Sequence, residues 1–293
     1  MVVGKEVMWV MKQKTGKIAG ILMLTAAALF ALTPLVFLFT GTFMGTAEIQ
    51  EYAGPVLLGR EGYAGWRMIP QYPTLKNVVE LLLDSPEYFH MFWNTVKLSC
   101  GVLIGQMIFG MPGAWGLARY SFPGKGLIYR LYILLMMMPF QVMMLSEYLT
   151  LEKIGINNTL WAVIAPGAFS TFSVFLMYRF FSEVPEEILE AARIDGAGEW
   201  QIFWHVGLPL GSAGVCSALI LQFLECFSMI EQPIAFLKDK SLWPLSLYLP
   251  EINVRESGFA MCASLVTLLA ALLVFINGKD YIEQGIVASA LKE

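Results

Sequence analysis

Charge is scarce in this sequence. Only 14% of its 293 residues are Asp, Glu, Lys or Arg, whereas a typical soluble domain carries about 25%. Hydrophobic residues account for 57%, and the mean hydropathy is +0.63. These proportions exclude an ordinary soluble domain and indicate an integral membrane protein. The formal net charge of −4 argues against a nucleic-acid partner, because such partners require a basic surface.

Residues that carry catalysis or bind metals are also sparse. The two histidines, His90 and His205, are far apart in the sequence, and no His-Glu-x-x-His motif occurs. All four cysteines lie in apolar stretches without Cys-x-x-Cys spacing, which indicates small buried thiols (Cys100, Cys216, Cys226 and Cys262). The sequence therefore offers no constellation for an intramembrane enzyme, and we expect no catalytic residue, no metal and no enzymatic activity.

A phosphate-binding loop is missing as well. The sequence contains no Gly-x-x-x-x-Gly-Lys-Ser/Thr motif, and both Gly124-Lys125 and Gly278-Lys279 lack its first glycine and its hydroxyl residue. This chain therefore has no means of binding ATP by that device, and we expect no cofactor in it.

Long apolar segments are abundant, and six of them are long enough to cross a bilayer, for which about 20 residues suffice. The predicted spans are 18–44, 89–118, 130–148, 154–178, 207–230 and 257–278. Pro139 and Pro166-Gly167 predict breaks in the third and fourth spans. Gly101-x-x-x-Gly105 predicts close helix packing in the second. The expected fold is all-α and integral to the membrane, with six transmembrane helices.

The basic residues predict the orientation of these spans. Eleven Lys and Arg fall in segments assigned to the inside, seven fall outside, and Lys97 lies within a span, which accounts for all 19. Because cytoplasmic segments are enriched in Lys and Arg, both termini are predicted to be cytoplasmic, in a cell (inner) membrane protein. The expected parts are a cytoplasmic N-terminus, a first helix, an extracytoplasmic loop, a core of five helices and a cytoplasmic tail (1–17, 18–44, 45–88, 89–278 and 279–293).

The extracytoplasmic loop has two interpretations. The preferred interpretation is a loop at the membrane interface that contains one short helix ending near Leu83. The alternative is a lid or a docking surface for an extracytoplasmic partner.

A polar segment separates the fourth and fifth spans. Pro185 suits the first position of a helix, and Glu186 and Glu187 follow in the first turn, where acidic side chains complement the helix dipole. Gly196 predicts the end of that helix through a glycine cap. A second short helix is expected near 199–205. The pattern predicts a helix, a turn and a helix at the cytoplasmic membrane surface.

The spacing within this polar segment resembles the EAA loop of ABC importer permeases. The matching residues are Glu190-Ala191-Ala192, Gly196, Val206 and Leu208-Pro209. Further motifs are similar to the carbohydrate branch of that family: Asn94-Thr95, Arg119-Tyr120-Ser121-Phe122-Pro123-Gly124, Gly155-x-x-Asn158-Thr159 and Phe180-Phe181-x-x-Val184-Pro185. At the outer end of the fifth span, where the family has an aromatic-Asn-acid cluster, this chain differs, so no sugar contact is carried over there.

The resemblance implies a permease subunit of an ATP-driven importer for a sugar or oligosaccharide. In that family the loop is a coupling helix that docks on the ATP-hydrolysing subunit, which assigns contact roles to Glu190, Ala191, Ala192, Asp195 and Gly196. The implied partners are a second homologous permease, two ATP-binding cassette subunits that bind the ATP, an extracytoplasmic solute-binding protein, a carbohydrate and membrane lipid. Another polar solute, such as a polyol or a glycerol-phosphate-like compound, is an alternative substrate. Residues 185–210 are named the EAA segment.

Polar residues inside the spans are candidates for the translocation path, because burying ionisable groups in lipid is costly. Asn94 and Lys97 lie three residues apart in the second span, and Gln222 and Glu225 do so in the fifth, so each pair shares a helix face. Either these faces line the path and meet sugar hydroxyls, or Lys97 extends to the interface and Glu225 pairs with a neighbouring helix. An ion-coupled secondary transporter would need several deep acids or paired broken helices, which the sequence does not indicate.

Overall fold

The computed structural model describes residues 2–59, 61–65, 67–248 and 256–290. Regular structure in these ranges is entirely helical, as predicted. The α-helices are α1 (Val2–Thr42), α2 (Thr46–Leu57), α3 (Lys76–Leu83), α4 (Pro86–Gly105), α5 (Met111–Arg119), α6 (Lys125–Met137), α7 (Phe140–Lys153), α8 (Trp161–Ala168), α9 (Thr171–Glu183), α10 (Glu186–Ile194), α11 (Glu199–Ile202), α12 (Leu208–Leu210), α13 (Ser212–Ser228), α14 (Glu231–Phe236) and α15 (Ser257–Ala290). Two π-helical turns (Gln106–Gly110, Phe203–Gly207) and two 3-10 turns (Lys240–Leu242, Leu245–Leu247) complete them.

Six candidate membrane spans can be recognised in the described residues by length and composition. Four are single helical stretches: Gly20–Thr42, Pro86–Arg119, Trp161–Glu183 and Ser257–Glu283. The other two are bent pairs, Lys125–Met137 with Phe140–Lys153 at 111° and Glu199–Leu210 with Ser212–Ser228 at 75°. The predicted fold class is therefore confirmed.

Proline breaks the third span where the sequence predicts it. Met138 and Pro139 are both extended, with ψ of 127° and 144°, between the end of α6 and the start of α7. Pro139 has no N–H to continue the helical ladder, and its ring disfavours a helical conformation for Met138. The predicted kink is confirmed, and at 111° it is a complete change of direction.

Small residues allow α4 to pack closely on α8. A Cβ atom added to Gly101 would lie 2.7 Å from Cδ1 of Ile164, and one added to Gly105 would lie 2.4 Å from Cβ of Ala168. A side chain at either position would force α8 to shift, and the constraint is stricter at Gly105, where the neighbouring atom is the short side chain of Ala168. The close packing predicted from Gly101-x-x-x-Gly105 is confirmed.

The first of two compact units combines Met1–Asp84 with Leu249–Thr267. Within it the predicted short helix is confirmed as α3, which ends at Leu83. A further helix, α2, stands in the segment that was expected to be a loop.

Two buried polar side chains organise this first unit. The Nδ2 group of Asn77 donates to the carbonyl oxygens of Thr42 and Met44, at 2.9 and 3.0 Å. The Glu48 carboxylate accepts from the backbone N–H of Gln71 at 2.7 Å. The two Asn77 bonds attach α3 to the end of α1, where backbone groups would otherwise lack partners, and the Glu48 bond attaches the chain before α3 to α2.

The second unit combines Ser85–Tyr248 with Leu268–Glu293. Its main apolar core joins α5, α9, α10 and α13, and it contains Trp115 and Phe181 with ring centroids 5.3 Å apart. The last helix continues past the predicted end of the sixth span at Gly278. A Cβ atom at Gly278 would lie 2.5 Å from Cδ1 of Ile220, so tight packing accompanies the continued helix there.

Candidate functional site

The EAA segment has the helix–turn–helix form that the sequence predicts. Its first helix is α10, with Glu186 and Glu187 in the first turn. Pro185 stands one position earlier than predicted, in the extended residue just before the helix, with ψ of 135°. The second helix is α11, which continues through the π-helical turn Phe203–Gly207 into α12.

A glycine cap ends α10. Gly196 has φ of +86°, in the left-handed region that only glycine adopts freely. Its N–H donates to the carbonyl oxygen of Arg193, and the N–H of Ala197 donates to that of Ala192, both at 3.0 Å. This pair of bonds is the Schellman arrangement, and the predicted cap is confirmed.

Buried residues anchor the EAA segment to the spans. Leu189 of α10, Ile202 of α11 and Phe203 are all buried in the core that contains Trp115 and Phe181. The segment therefore packs against α5, α9 and α13, and its two helices are fixed to that core.

The opposite face of the segment is open. Glu190 and Ala191 are exposed, Ile194 is 85% exposed, and Trp200 is exposed as well. Ala192 is half-buried, and Asp195 and Gly196 are exposed at the turn. The predicted contact residues thus lie on a surface that also shows large apolar side chains, which is typical of a face that another protein covers.

Charged residues connect the two helices of the segment. Arg193 pairs with Glu186 and with Glu199, each at 2.8 Å, and Glu199 also accepts from the hydroxyl of Tyr120 at 3.0 Å. Arg193 donates hydrogen bonds to the carboxylates of Glu199 and Glu186, and these bonds raise the pKa of Arg193, which keeps the guanidinium charged. Arg119 contacts Glu186 at 3.4 Å. These contacts were not predicted from the sequence, although Glu186 and Arg193 lie seven residues apart, about two helical turns, and so share a helix face.

A cavity of about 740 Å³ lies between α7, α9 and α13. Gln222 and Glu225 both line it, as their shared helix face predicts. Gln222 is 6% exposed, and its Oε1 accepts from Oγ of Ser173 at 3.1 Å. Two further carboxylates line the cavity, Glu147 and Glu231, whereas no Lys or Arg does so among the described residues. Glu147 is a second acid within the predicted spans, and it was not among the residues expected to line the path.

The remaining lining of the cavity combines apolar side chains with a few uncharged polar groups. Among the described residues, no group of three or more His, Cys, Asp or Glu side chains is arranged to hold a metal ion. The lining also includes three phenylalanines, several hydroxyls and two amides (Phe140, Phe169, Phe172, Ser170, Thr171, Ser228, Gln222 and Gln232). Apolar walls with a few polar groups are typical of sites for small organic molecules.

Asn94 and Lys97 do not line this cavity. Asn94 is 2% exposed, and its Nδ2 donates to the carbonyl oxygens of Ser241 and Trp243, at 2.7 and 3.2 Å. It therefore holds the turn Lys240–Leu242 against α4. Lys97 is exposed on the same helix.

We expect Asn94→Ala to destabilise the protein rather than alter substrate affinity. The substitution removes both donors from two carbonyl groups, at a cost of about 1–3 kcal/mol. The measurement is the thermal midpoint of the purified protein together with the KM of the expected uptake activity, and Lys97→Ala is the control that changes neither value. An unchanged midpoint with a raised KM would instead place Asn94 on the substrate path.

Comparisons with known proteins agree with one another. The family described as "Binding-protein-dependent transport system inner membrane component" matches residues 106–286, which include the EAA segment and most of the cavity. The arabinooligosaccharides transport system permease protein AraQ of Halalkalibacterium halodurans is 25% identical over 288 residues, which cover 96% of this chain and 100% of AraQ. The diacetylchitobiose uptake system permease protein NgcG of Streptomyces coelicolor is 27% identical over 260 residues, covering 85% of this chain and 80% of NgcG.

A solved structure has the same fold. It is the crystal structure of a bacterial ABC transporter involved in the import of the acidic polysaccharide alginate, with a TM-score of 0.78 and 18% identity. The alignment covers 92% of this chain and 96% of that chain.

Proposed function

This chain belongs to the family of binding-protein-dependent transport system inner membrane components, and we propose that it is the permease subunit of an ATP-driven sugar or oligosaccharide importer. It is a multi-pass membrane protein and a transport component rather than an enzyme. The observation that carries the proposal is the EAA segment, which is fixed to the spans by one face and exposes the other.

The exposed face docks on an ATP-binding cassette subunit. Glu190 supplies the polar contact, and the small side chains of Ala191 and Ala192 let the partner approach closely. Asp195 and Gly196 form the turn at the edge of this face. Support comes from the exposure of Ile194 and Trp200, since contiguous exposed apolar surface marks interaction sites.

Motion of the partner passes into the membrane through the buried face. The chain runs from α9 through α10 and α11 to α13 without a long loop, and Leu189 and Ile202 pack in the core of these helices. A displacement of α10 therefore moves the inner ends of the fourth and fifth spans with it. Such rigid-body movement is a common way to switch a transporter between its inward-open and outward-open conformations.

Gln222 and Glu225 meet the substrate in the cavity. Their amide and carboxylate groups suit sugar hydroxyls, and the phenylalanines suit the apolar faces of sugar rings. Asn94 and Lys97 stand outside this part of the path.

The charge of the cavity favours an uncharged substrate. At an effective dielectric constant of about 20, one carboxylate about 6 Å from an anionic group adds about 3 kcal/mol of repulsion, or about a hundredfold in binding. Three carboxylates and no cationic side chain among the described lining residues therefore favour a neutral carbohydrate over a glycerol-phosphate-like anion.

Docking on an ATPase requires the EAA segment to face the cytoplasm. With six spans, both termini then lie on the cytoplasmic side of the cell membrane, in agreement with the excess of Lys and Arg in those segments. The complete importer would contain a second homologous permease, two ATP-binding cassette subunits and an extracytoplasmic solute-binding protein.

Purification tests this assembly directly. The affinity-tagged chain, extracted from its native membrane in mild detergent, should carry ATP-binding cassette subunits and a second permease. Its ATP hydrolysis should rise when the sugar-loaded binding protein is added. Recovery of the folded chain without any ATPase, together with uptake driven by an ion gradient, would contradict the proposal.

We expect Gln222→Ala and Glu225→Ala each to lower uptake of a labelled neutral oligosaccharide about tenfold, because each removes hydrogen bonds to the substrate. Stimulated ATP hydrolysis should persist, since neither residue belongs to the EAA segment. Uptake is measured in proteoliposomes with an excess of binding protein, and Lys97→Ala is the control. The Glu225→Gln variant should also reduce the ratio of neutral to uronic-acid oligosaccharide uptake, because it removes one negative charge from the cavity. Unchanged kinetics in all three variants would remove both residues from the path.

A further inference from the structure

Arg119 occupies an unusual place at the inner end of the second span. It is the last residue of α5, and its side chain is only 8% exposed. The guanidinium lies 5.5 Å from the ring centroid of Trp115, one turn earlier on the same helix. A buried charge of this kind is costly unless it is paired and hydrogen-bonded.

The partners of Arg119 belong to other elements. Its Nη2 group donates to the carbonyl oxygens of Phe181 and Val184, at the end of the fourth span. Its Nη1 group contacts the carboxylate of Glu186 at 3.4 Å, in the first turn of α10. One side chain thus bridges the second span, the fourth span and the EAA segment.

The sequence explains why an external donor is needed there. In a continuing helix the carbonyl oxygen of Phe181 would accept from the N–H four residues later. That residue is Pro185, which has no N–H. Arg119 supplies the missing donor, and its planar fork reaches two carbonyl oxygens and a carboxylate at once, a geometry that the single nitrogen of lysine does not reproduce.

The bridge is closed into a ring. Glu186 holds Arg119 with one carboxylate oxygen and Arg193 with the other. Arg193 also holds Glu199, whose second oxygen accepts from the hydroxyl of Tyr120, the residue after Arg119. Both helices of the EAA segment are therefore attached to the end of the second span, although the chain does not connect them directly.

We propose that Arg119 is a positioning residue that makes the second span move together with the fourth span and the EAA segment. The fourth and fifth spans follow α10 through the chain itself, whereas the second span depends on side chains, the guanidinium of Arg119 and the hydroxyl of Tyr120 among them. The second span also forms a wall of the cavity through Val102. Arg119 thereby transmits a displacement of α10 to that wall. This inference rests on the proposed docking of the EAA segment on an ATPase.

The test compares uptake with ATP hydrolysis in the complete transporter, reconstituted in proteoliposomes with its loaded binding protein. Arg119→Lys and Arg119→Gln should keep hydrolysis within about twofold while the substrate moved per ATP falls about tenfold, since the docking face stays intact. Tyr120→Phe, which removes only the hydroxyl from the ring, should lower the same ratio about threefold. Arg130→Lys is the control, because Arg130 bonds only the carbonyl oxygen of Gly126 in its own helix among the described residues.

If Arg119 served only to stabilise the fold, its substitution would lower the uptake rate and the ATP hydrolysis rate by the same factor, because both depend on the amount of folded protein. An equal fall in both rates, or an unchanged ratio in the folded Arg119→Lys and Tyr120→Phe variants, overturns the role of Arg119. A different result would contradict the proposed function itself: the wild-type chain would then show no ATP-driven uptake.

Discussion

Replacing Gly196 by valine should lower sugar uptake about tenfold while the amount of chain inserted in the membrane stays the same. The φ of +86° at this position is the cause. A left-handed conformation costs an ordinary residue about 1–2 kcal/mol, and a β-branched side chain tolerates it least. A steric clash is not the cause, because no neighbouring atom lies within 4 Å of a Cβ atom added at Gly196.

The strain acts on the turn between α10 and α11. To relieve it, the chain must give up the bonds from Gly196 to Arg193 and from Ala197 to Ala192. The end of α10 then changes direction, and the proposed docking face no longer matches the ATPase subunit.

Two matched variants isolate this effect. Gly196→Asn adds a side chain at the same exposed position, but asparagine adopts the left-handed conformation at small cost, so most uptake should remain. Gly198→Ala alters a neighbouring glycine with φ of −71°, which suits any residue. Uptake and membrane content are measured for all three variants. Equal uptake in the valine and asparagine variants would show that the left-handed turn is not required.

Reversing the charge of Glu190 should reduce both ATPase binding and uptake about thirtyfold or more, since a lost charged contact at an interface costs about 2–5 kcal/mol. The side chain is exposed on α10 and has no hydrogen bond or ion pair to any residue in the described ranges. Glu190→Lys therefore leaves the interior of this chain unchanged, and the loss arises at the partner.

The measurement is the ATPase subunit recovered per tagged chain, together with uptake by the same membranes. Glu183→Lys is the matched control, because it reverses an exposed carboxylate at the end of α9 outside the EAA segment. Normal recovery and normal uptake with Glu190→Lys would show that this residue does not contact the ATPase.

The sequence by itself determined the features that depend on local chemistry. Long apolar runs established the membrane spans, because the length of a span is set by the thickness of the bilayer. Pro139 and Gly196 located a break and a helix end, because each residue restricts or frees its own backbone angles. The Gln222 and Glu225 pair was recognisable for the same reason, since their spacing places them on one helix face whatever packs nearby.

Only the tertiary structure decided which distant groups meet. Asn94 has the same amide group as Gln222, yet it bonds the turn at Ser241, 147 residues further along the chain, while Gln222 lines the cavity. Arg119 reaches carbonyl groups that lie 62 and 65 residues away. Leu189 and Ile194 are both apolar residues of α10, but one is buried and the other is exposed. Hydropathy and spacing describe the faces of one element, whereas the partner of each face depends on how the helices pack.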